Sequence, residues 1–139
     1  MRALGEACVL LLVAVAPAAL AIGFHPQLAD RAHAGLEPGA VRLAEVRAWR
    51  ADVLWIDGRS DTDFARDHIP GALHVDEARF SEGVGEVLAA WQPGRRIVVY
   101  CSNVSCGTSK ALAQSLREAG FNDVFHLHGG WEAWQSAGQ

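Results

Sequence analysis

Only three cysteines occur in the 139 residues, Cys8, Cys101 and Cys106, too few and too unevenly placed for a disulfide scaffold. No run of like charge is present either. Twelve Lys and Arg stand against sixteen Asp and Glu, for a net charge of −4. Without a basic patch interleaved with aromatics, nucleic acid is excluded as the expected partner. Internal repeats and low-complexity tracts are also lacking, which excludes a solenoid or a largely disordered chain. What remains is a chain that is 50% hydrophobic, long enough for one domain with a sizeable core.

The one long uncharged run is "ACVLLLVAVAPAALAIGF", residues 7–24. A buried soluble helix of that length usually has a polar face, and 18 apolar residues suffice to cross a bilayer. We read residues 1–24 as a single-pass transmembrane anchor, with the domain outside the cytoplasm. Arg2 precedes the run closely, whereas Arg31 follows at a greater distance. The alternative is a cleaved signal peptide and an exported soluble domain, since Ala19-Leu20-Ala21 fits a cleavage site. The run continues through Ile22 and Phe24, which favours the anchor. Residues 25–40, with two Pro, two Gly and no steady period, read as a linker, and residues 41–139 as the domain.

Within the domain, strand and helix patterns alternate. "VRL" (41–43) is a short apolar start, and Leu43, Val46 and Arg50 follow at helical spacing. "VLWID" (53–57), "ALHV" (72–75), "RIVVY" (96–100) and "DVFHL" (123–127) read as strands. "DTDFARDH" (61–68) and "WEAWQSAG" (131–138) read as short helices. "DEARFSEGVGEVLAAW" (76–91) reads as helical towards its end, with Val84, Val87, Leu88 and Trp91 on one face and Gly83 and Gly85 interrupting its middle. "TSKALAQSLREAG" (108–120) is the strongest helix, opened by Thr108 or Ser109 and closed by Gly120. Such alternation predicts an α/β fold, a mostly parallel sheet flanked by helices on both faces. Chemistry in such sheets gathers beyond the C-terminal strand ends.

Cys101 occupies that position, directly after "RIVVY" and before the loop "SNVSCG" that leads into the 108–120 helix. The free N–H groups at a helix N-terminus favour an anion, so a thiol there becomes a better thiolate. The loop's mostly small side chains would let its amides curl around a bound anion. A buried cysteine that merely fills space is the alternative.

Two segments resemble the rhodanese-like domain family. In "VLWIDGRSDTDFARDHIPGALHV", Asp57, Arg59, Phe64, His68 and Ile69-Pro70-Gly71-Ala72 match an Asp-x-Arg strand end followed by a GHIPGA turn, with Asp67 in place of the usual Gly. "RIVVYCSNVSCGTSKALAQSLREAGFNDVFHLHGGWEAW" matches the strand, Cys, loop, helix, GF, strand and L-x-GG-x-x-AW of the second half. The resemblance covers residues 41–138. It implies five parallel strands flanked by helices and, taken with the apolar run 7–24, a membrane-anchored single-domain member. It also implies a sulfurtransferase in which Cys101 takes a sulfane sulfur as a persulfide and passes it to a thiol or other thiophilic acceptor. Residues 102–108 (Ser102, Asn103, Val104, Ser105, Cys106, Gly107 and Thr108) would form the substrate and anion loop. Asp57, Arg59 and His68 would be scaffold near the site. No cofactor or metal is implied. His126 and His128 alternate along a strand, but no third ligand accompanies them, and Trp131 and Trp134 read as core.

The loop departs from the family pattern of Cys, four residues, Arg, Ser. Cys106 stands fifth after Cys101, and measured back from "SLREAGF" the loop is about two residues longer, which sets Thr108 where Arg would be. Without that Arg, phosphoryl transfer lacks its bidentate clamp, and a neutral or weakly charged sulfur donor such as a polysulfide suits the loop as well as thiosulfate. Cys106 is placed to act as a resolving thiol. A thiol–disulfide redox or sensing module is therefore one alternative, and an inactive rhodanese-fold binding domain another.

Overall fold

A computed structural model describes residues 35–138. The apolar run 7–24 and most of the 25–40 linker lie outside the described residues. Among the described residues no helix is long and apolar enough to cross a membrane.

Five strands, β1 (Ala40–Val41), β2 (Val53–Asp57), β3 (Leu73–His74), β4 (Arg96–Tyr100) and β5 (Val124–Leu127), form one sheet in the order β1-β5-β4-β2-β3. Every pairing is parallel. β1 starts at Ala40, the last residue of the stretch read as linker. β4 is central, with β2 on one side (Trp55 opposite Val98) and β5 on the other (Val98 opposite Phe125).

Strand side chains alternate between two faces, and here both faces are covered. Ile97 and Val99 of β4 join a core with Leu54, Ile56 and Val87, under α3 (Phe80–Ala90) and α4 (Thr108–Glu118). Val98 and Tyr100 face the opposite core, with Val41, Val46 and Trp131, closed by α1 (Leu43–Ala48) and α5 (Gly130–Ser136). The remaining helix, α2 (Asp61–Arg66), is capped by Ser60, whose side chain accepts the Asp63 N–H.

Two features of the 76–91 segment correct the sequence expectation. After a single 3₁₀ turn (Glu77–Arg79), α3 runs unbroken through Gly83 and Gly85. A Cβ at Gly83 would come within 3.0 Å of Val75, so the absent side chain lets the helix settle on the sheet. Leu88 is 64% exposed and does not share the inward face of Val84, Val87 and Trp91. α4 starts at Thr108 as expected, with Gly107 as its N-cap residue. Gly120, at φ +96°, follows the helix end as expected and donates its N–H to Arg117 O.

The Asp-x-Arg motif is a buried ion pair. Asp57, at the end of β2, accepts from Arg59 N–H (2.9 Å), Nε (3.0 and 3.1 Å) and Nη2 (2.7 Å). Arg59 Nη2 also donates to Asp67 O at 2.6 Å, and the guanidinium stacks over Trp131 at 4.4 Å. Burial alone would weaken the Arg59 charge, but the hydrogen bonds and charge of Asp57 outweigh it and raise the pKa. The Tyr100 hydroxyl accepts the Ile69 N–H at 3.1 Å, and burial with the Asp57 carboxylate nearby keeps the phenol protonated far above its ordinary range. His68 stacks on Phe64 at 4.0 Å and contacts Phe64 O through Nδ1 at 2.9 Å. All three motif residues thus serve the turn joining β2 to β3. Because both side chains of the pair are almost wholly buried (0% and 4% exposed), leaving either partner alone is costly. Asp57→Ala is expected to lower the unfolding free energy by about 3–5 kcal/mol in urea titrations. A loss below about 1 kcal/mol, the value of a surface pair, would show that the pair does not hold this turn.

Candidate active site around Cys101

β4 delivers Cys101 to the C-terminal edge of the sheet, where it is 1% exposed. Its backbone carbonyl accepts the Trp131 N–H at 2.7 Å, and the Ser102 carbonyl accepts the Glu132 N–H at 3.1 Å. The start of α5 is therefore bonded to the floor of the loop. Gly130 makes this contact possible: at φ +53° it lies against Cys101, and a Cβ would overlap the Cys101 carbonyl oxygen.

The loop from Ser102 to Gly107 folds back on Cys101. Asn103 organises it, its Oδ1 accepting the Ser105 N–H at 3.0 Å and its backbone carbonyl accepting the Cys106 N–H at 3.2 Å. Val104, at the loop tip, is 65% exposed. This turn brings Cys106 over Cys101, and the two form a disulfide with a Cα separation of 6.3 Å.

The disulfide changes the expected geometry of the loop. Cys101 Sγ lies 3.4 Å from Cys106 O, 3.5 Å from Ser109 Oγ and 3.8 Å from Asn103 O. Carbonyl oxygens therefore flank the sulfur, while the Ser105 and Cys106 amides are engaged by Asn103. Those two amides are therefore not directed at the sulfur in this arrangement of the loop. Ser109, buried in the first turn of α4, was legible in the sequence only as a helix-start residue, yet its hydroxyl is the side-chain group set against the sulfur.

A cavity of about 280 Å³ opens beside the disulfide, lined among others by Cys106, Ser109, Lys110, His126 and His128. Lys110, the first cation after Cys101, pairs with Glu37 at 2.7 Å. β5 ends at Leu127, so His126 is buried in the strand while His128 is exposed just beyond it. Among the described residues no cluster of three metal-binding side chains occurs. Thr108 and Gly107 begin α4, and Trp131 is buried with Trp134 packed beside it.

The match to known proteins follows the same span. The model of the rhodanese-like domain matches residues 40–137. The chain belongs to the rhodanese-like domain family. A thiosulfate sulfurtransferase GlpE from Coxiella burnetii is 30% identical over 99 residues, covering 68% of this chain and 87% of that protein. The GlpE protein of Shewanella oneidensis is 33% identical over 97 residues, covering 70% and 86%. Among solved structures, a Bacillus halodurans protein superposes with a TM-score of 0.61 at 21% identity, covering 81% of this chain and 82% of that one. A rhodanese-like domain from Anabaena gives 0.58 at 25% identity, covering 73% and 76%.

Gly130→Ala is expected to cost at least about 1–3 kcal/mol in urea titrations, because it adds left-handed strain and pushes the loop floor from α5. A wild-type midpoint would remove that contact from the architecture. Burial, with the Arg117 charge beside it, lowers the His126 pKa, and its Nδ1 has no hydrogen-bond partner among the described residues. Its folded pKa thus lies below its unfolded one, so stability rises with pH through the window just below about pH 6.5 and is lost as pH falls. His126→Gln should flatten that part of the stability–pH curve, and an unchanged slope would assign it to other groups.

Proposed function

We propose that this chain is a sulfurtransferase that moves a sulfane sulfur through a persulfide on Cys101. The observation that carries the reading is the placement of Cys101 at the end of the central strand, beneath the loop that enters α4, in a chain whose relatives are named thiosulfate sulfurtransferases. With the disulfide open, the Cys101 thiolate attacks the outer sulfur of the donor. The donor's sulfur–sulfur bond breaks, and with thiosulfate the leaving group is sulfite. A thiol or other thiophile then takes the outer sulfur of the persulfide, and Cys101 returns as thiolate. The α4 N-terminus favours the thiolate, and the Ser109 hydroxyl is within reach of it.

No arginine follows Cys101 in the loop, and Lys110 is engaged by Glu37, so a polysulfide or small persulfide serves as donor as readily as thiosulfate. The disulfide suits a compartment without a glutathione pool, in keeping with a domain held outside the cytoplasm by residues 7–24. The disulfide also favours a second reading, a thiol–disulfide exchange or sensing module built on Cys101 and Cys106.

Thiocyanate formation from thiosulfate and cyanide, and sulfur uptake from polysulfide by intact mass, test the reading on the purified full chain. The reduced Cys106→Ser chain, in which no disulfide can close on Cys101, is expected to turn over and to lose this activity when Cys101 is also changed to Ser. The oxidised protein should be inert until a dithiol is added. Activity that persists in Cys101→Ser, or a reduced Cys106→Ser chain that neither turns over nor takes up sulfur while the chain with both cysteines still exchanges disulfides, would replace sulfur transfer with the second reading.

A further inference from the structure

We propose that Cys106 resolves the Cys101 persulfide and expels its outer sulfur as hydrosulfide, so that the site reduces sulfane sulfur to sulfide. The inference rests on the reading of Cys101 as the sulfur carrier and adds the fate of the sulfur. Three observations support it. The disulfide shows that Cys106 Sγ reaches Cys101 Sγ, the inner sulfur of any persulfide there. The turn that carries Cys106 inward is fixed by Asn103 through two backbone N–H groups, and so is a built conformation of the loop. In that conformation Cys106 O and Asn103 O lie 3.4 and 3.8 Å from Cys101 Sγ, with no loop cation to offset them. Lone pairs on that side offer an outer sulfur no hydrogen-bond donor, whereas the inner sulfur keeps the Ser109 hydroxyl and the α4 N-terminus. The persulfide charge is therefore the less well held of the two, and its replacement by a neutral disulfide is favoured.

The step balances within the site. The Cys106 thiol attacks Cys101 Sγ, the bond from Cys101 to the outer sulfur breaks, and the Cys101–Cys106 bond forms. The outer sulfur takes the electron pair, and with the proton given up by Cys106 it leaves as hydrosulfide. The transferred sulfur gains two electrons, and the two cysteines are oxidised to the disulfide seen here. A second turnover needs an external dithiol. Cys101 is buried whereas Cys106 is partly exposed and lines the cavity of about 280 Å³ with Ser109, Lys110, His126 and His128. The dithiol therefore attacks Cys106 Sγ from that cavity. Cys101 departs as the thiolate beside α4, and the dithiol's second sulfur then frees Cys106.

The test uses the reduced full chain in a Cys8→Ser background, freed of reductant and given stoichiometric thiosulfate or an aryl thiosulfonate. Neither leaving group, sulfite or sulfinate, is a source of sulfide. The chain with both loop cysteines should release sulfide in step with the leaving group and finish two hydrogens lighter, with no bound sulfur. Cys106→Ser should release the leaving group, keep one extra sulfur, and give sulfide only when dithiothreitol is added. A chain with both cysteines that holds the extra sulfur and yields no sulfide would overturn the resolving step and leave the carrier reading standing. Failure of Cys106→Ser to take up sulfur from either donor would overturn the carrier reading, and the inference with it.

Discussion

The buried pairing of Asp57 with Arg59 ties together three parts of the molecule. Asp57 is the last residue of β2, Arg59 reaches the Asp67 carbonyl ahead of the β3 turn, and the same guanidinium covers the face of Trp131 on α5. Trp131 in turn donates its N–H to the Cys101 carbonyl. A motif that never touches the sulfur therefore sets the floor on which it stands. A charge buried this completely is tolerated only because every partner is in place, which makes the turn between β2 and β3 a unique arrangement.

Above that floor the loop answers to different constraints. Its residues are small, its turn is organised by one asparagine, and it contains no cation. A rhodanese-like loop with an arginine can hold a negatively charged sulfur in place. This one brings a second sulfur to the first. The difference is one of charge compensation. Where no side chain neutralises an anionic intermediate, the lower-energy course is to convert it into something uncharged, and a neighbouring thiol provides that course.

Much of this was legible in the sequence because the strongest signals are local. β2, β4 and α4 appear where apolar content and period place them, within a residue or two. The place of Cys101 directly after β4 was legible in the same way, whereas its role was given by the resemblance. The helical run through Gly83 and Gly85 was not legible, because at Gly83 the low helix propensity of glycine is overridden by the close approach to Val75, a contact with a residue eight positions away. Leu88 was misplaced since hydrophobicity marks a face only on average. In the loop, sequence shows two thiols within reach of each other. It does not show the direction of the carbonyls around Cys101, which is set by the Asn103 turn, nor the bond from α5, which is long-range.

The ring closed by Cys101 and Cys106 spans a sequence separation of only five. A cross-link so short removes little freedom from the unfolded chain, about 2 kcal/mol by the chain-entropy argument, against nearly 5 for a hundred-residue loop. The sheet, its two cores and the buried ion pair contribute independently of it. Opening the ring therefore costs the fold little, and the redox chemistry proposed for this corner is separated from the stability of the rest.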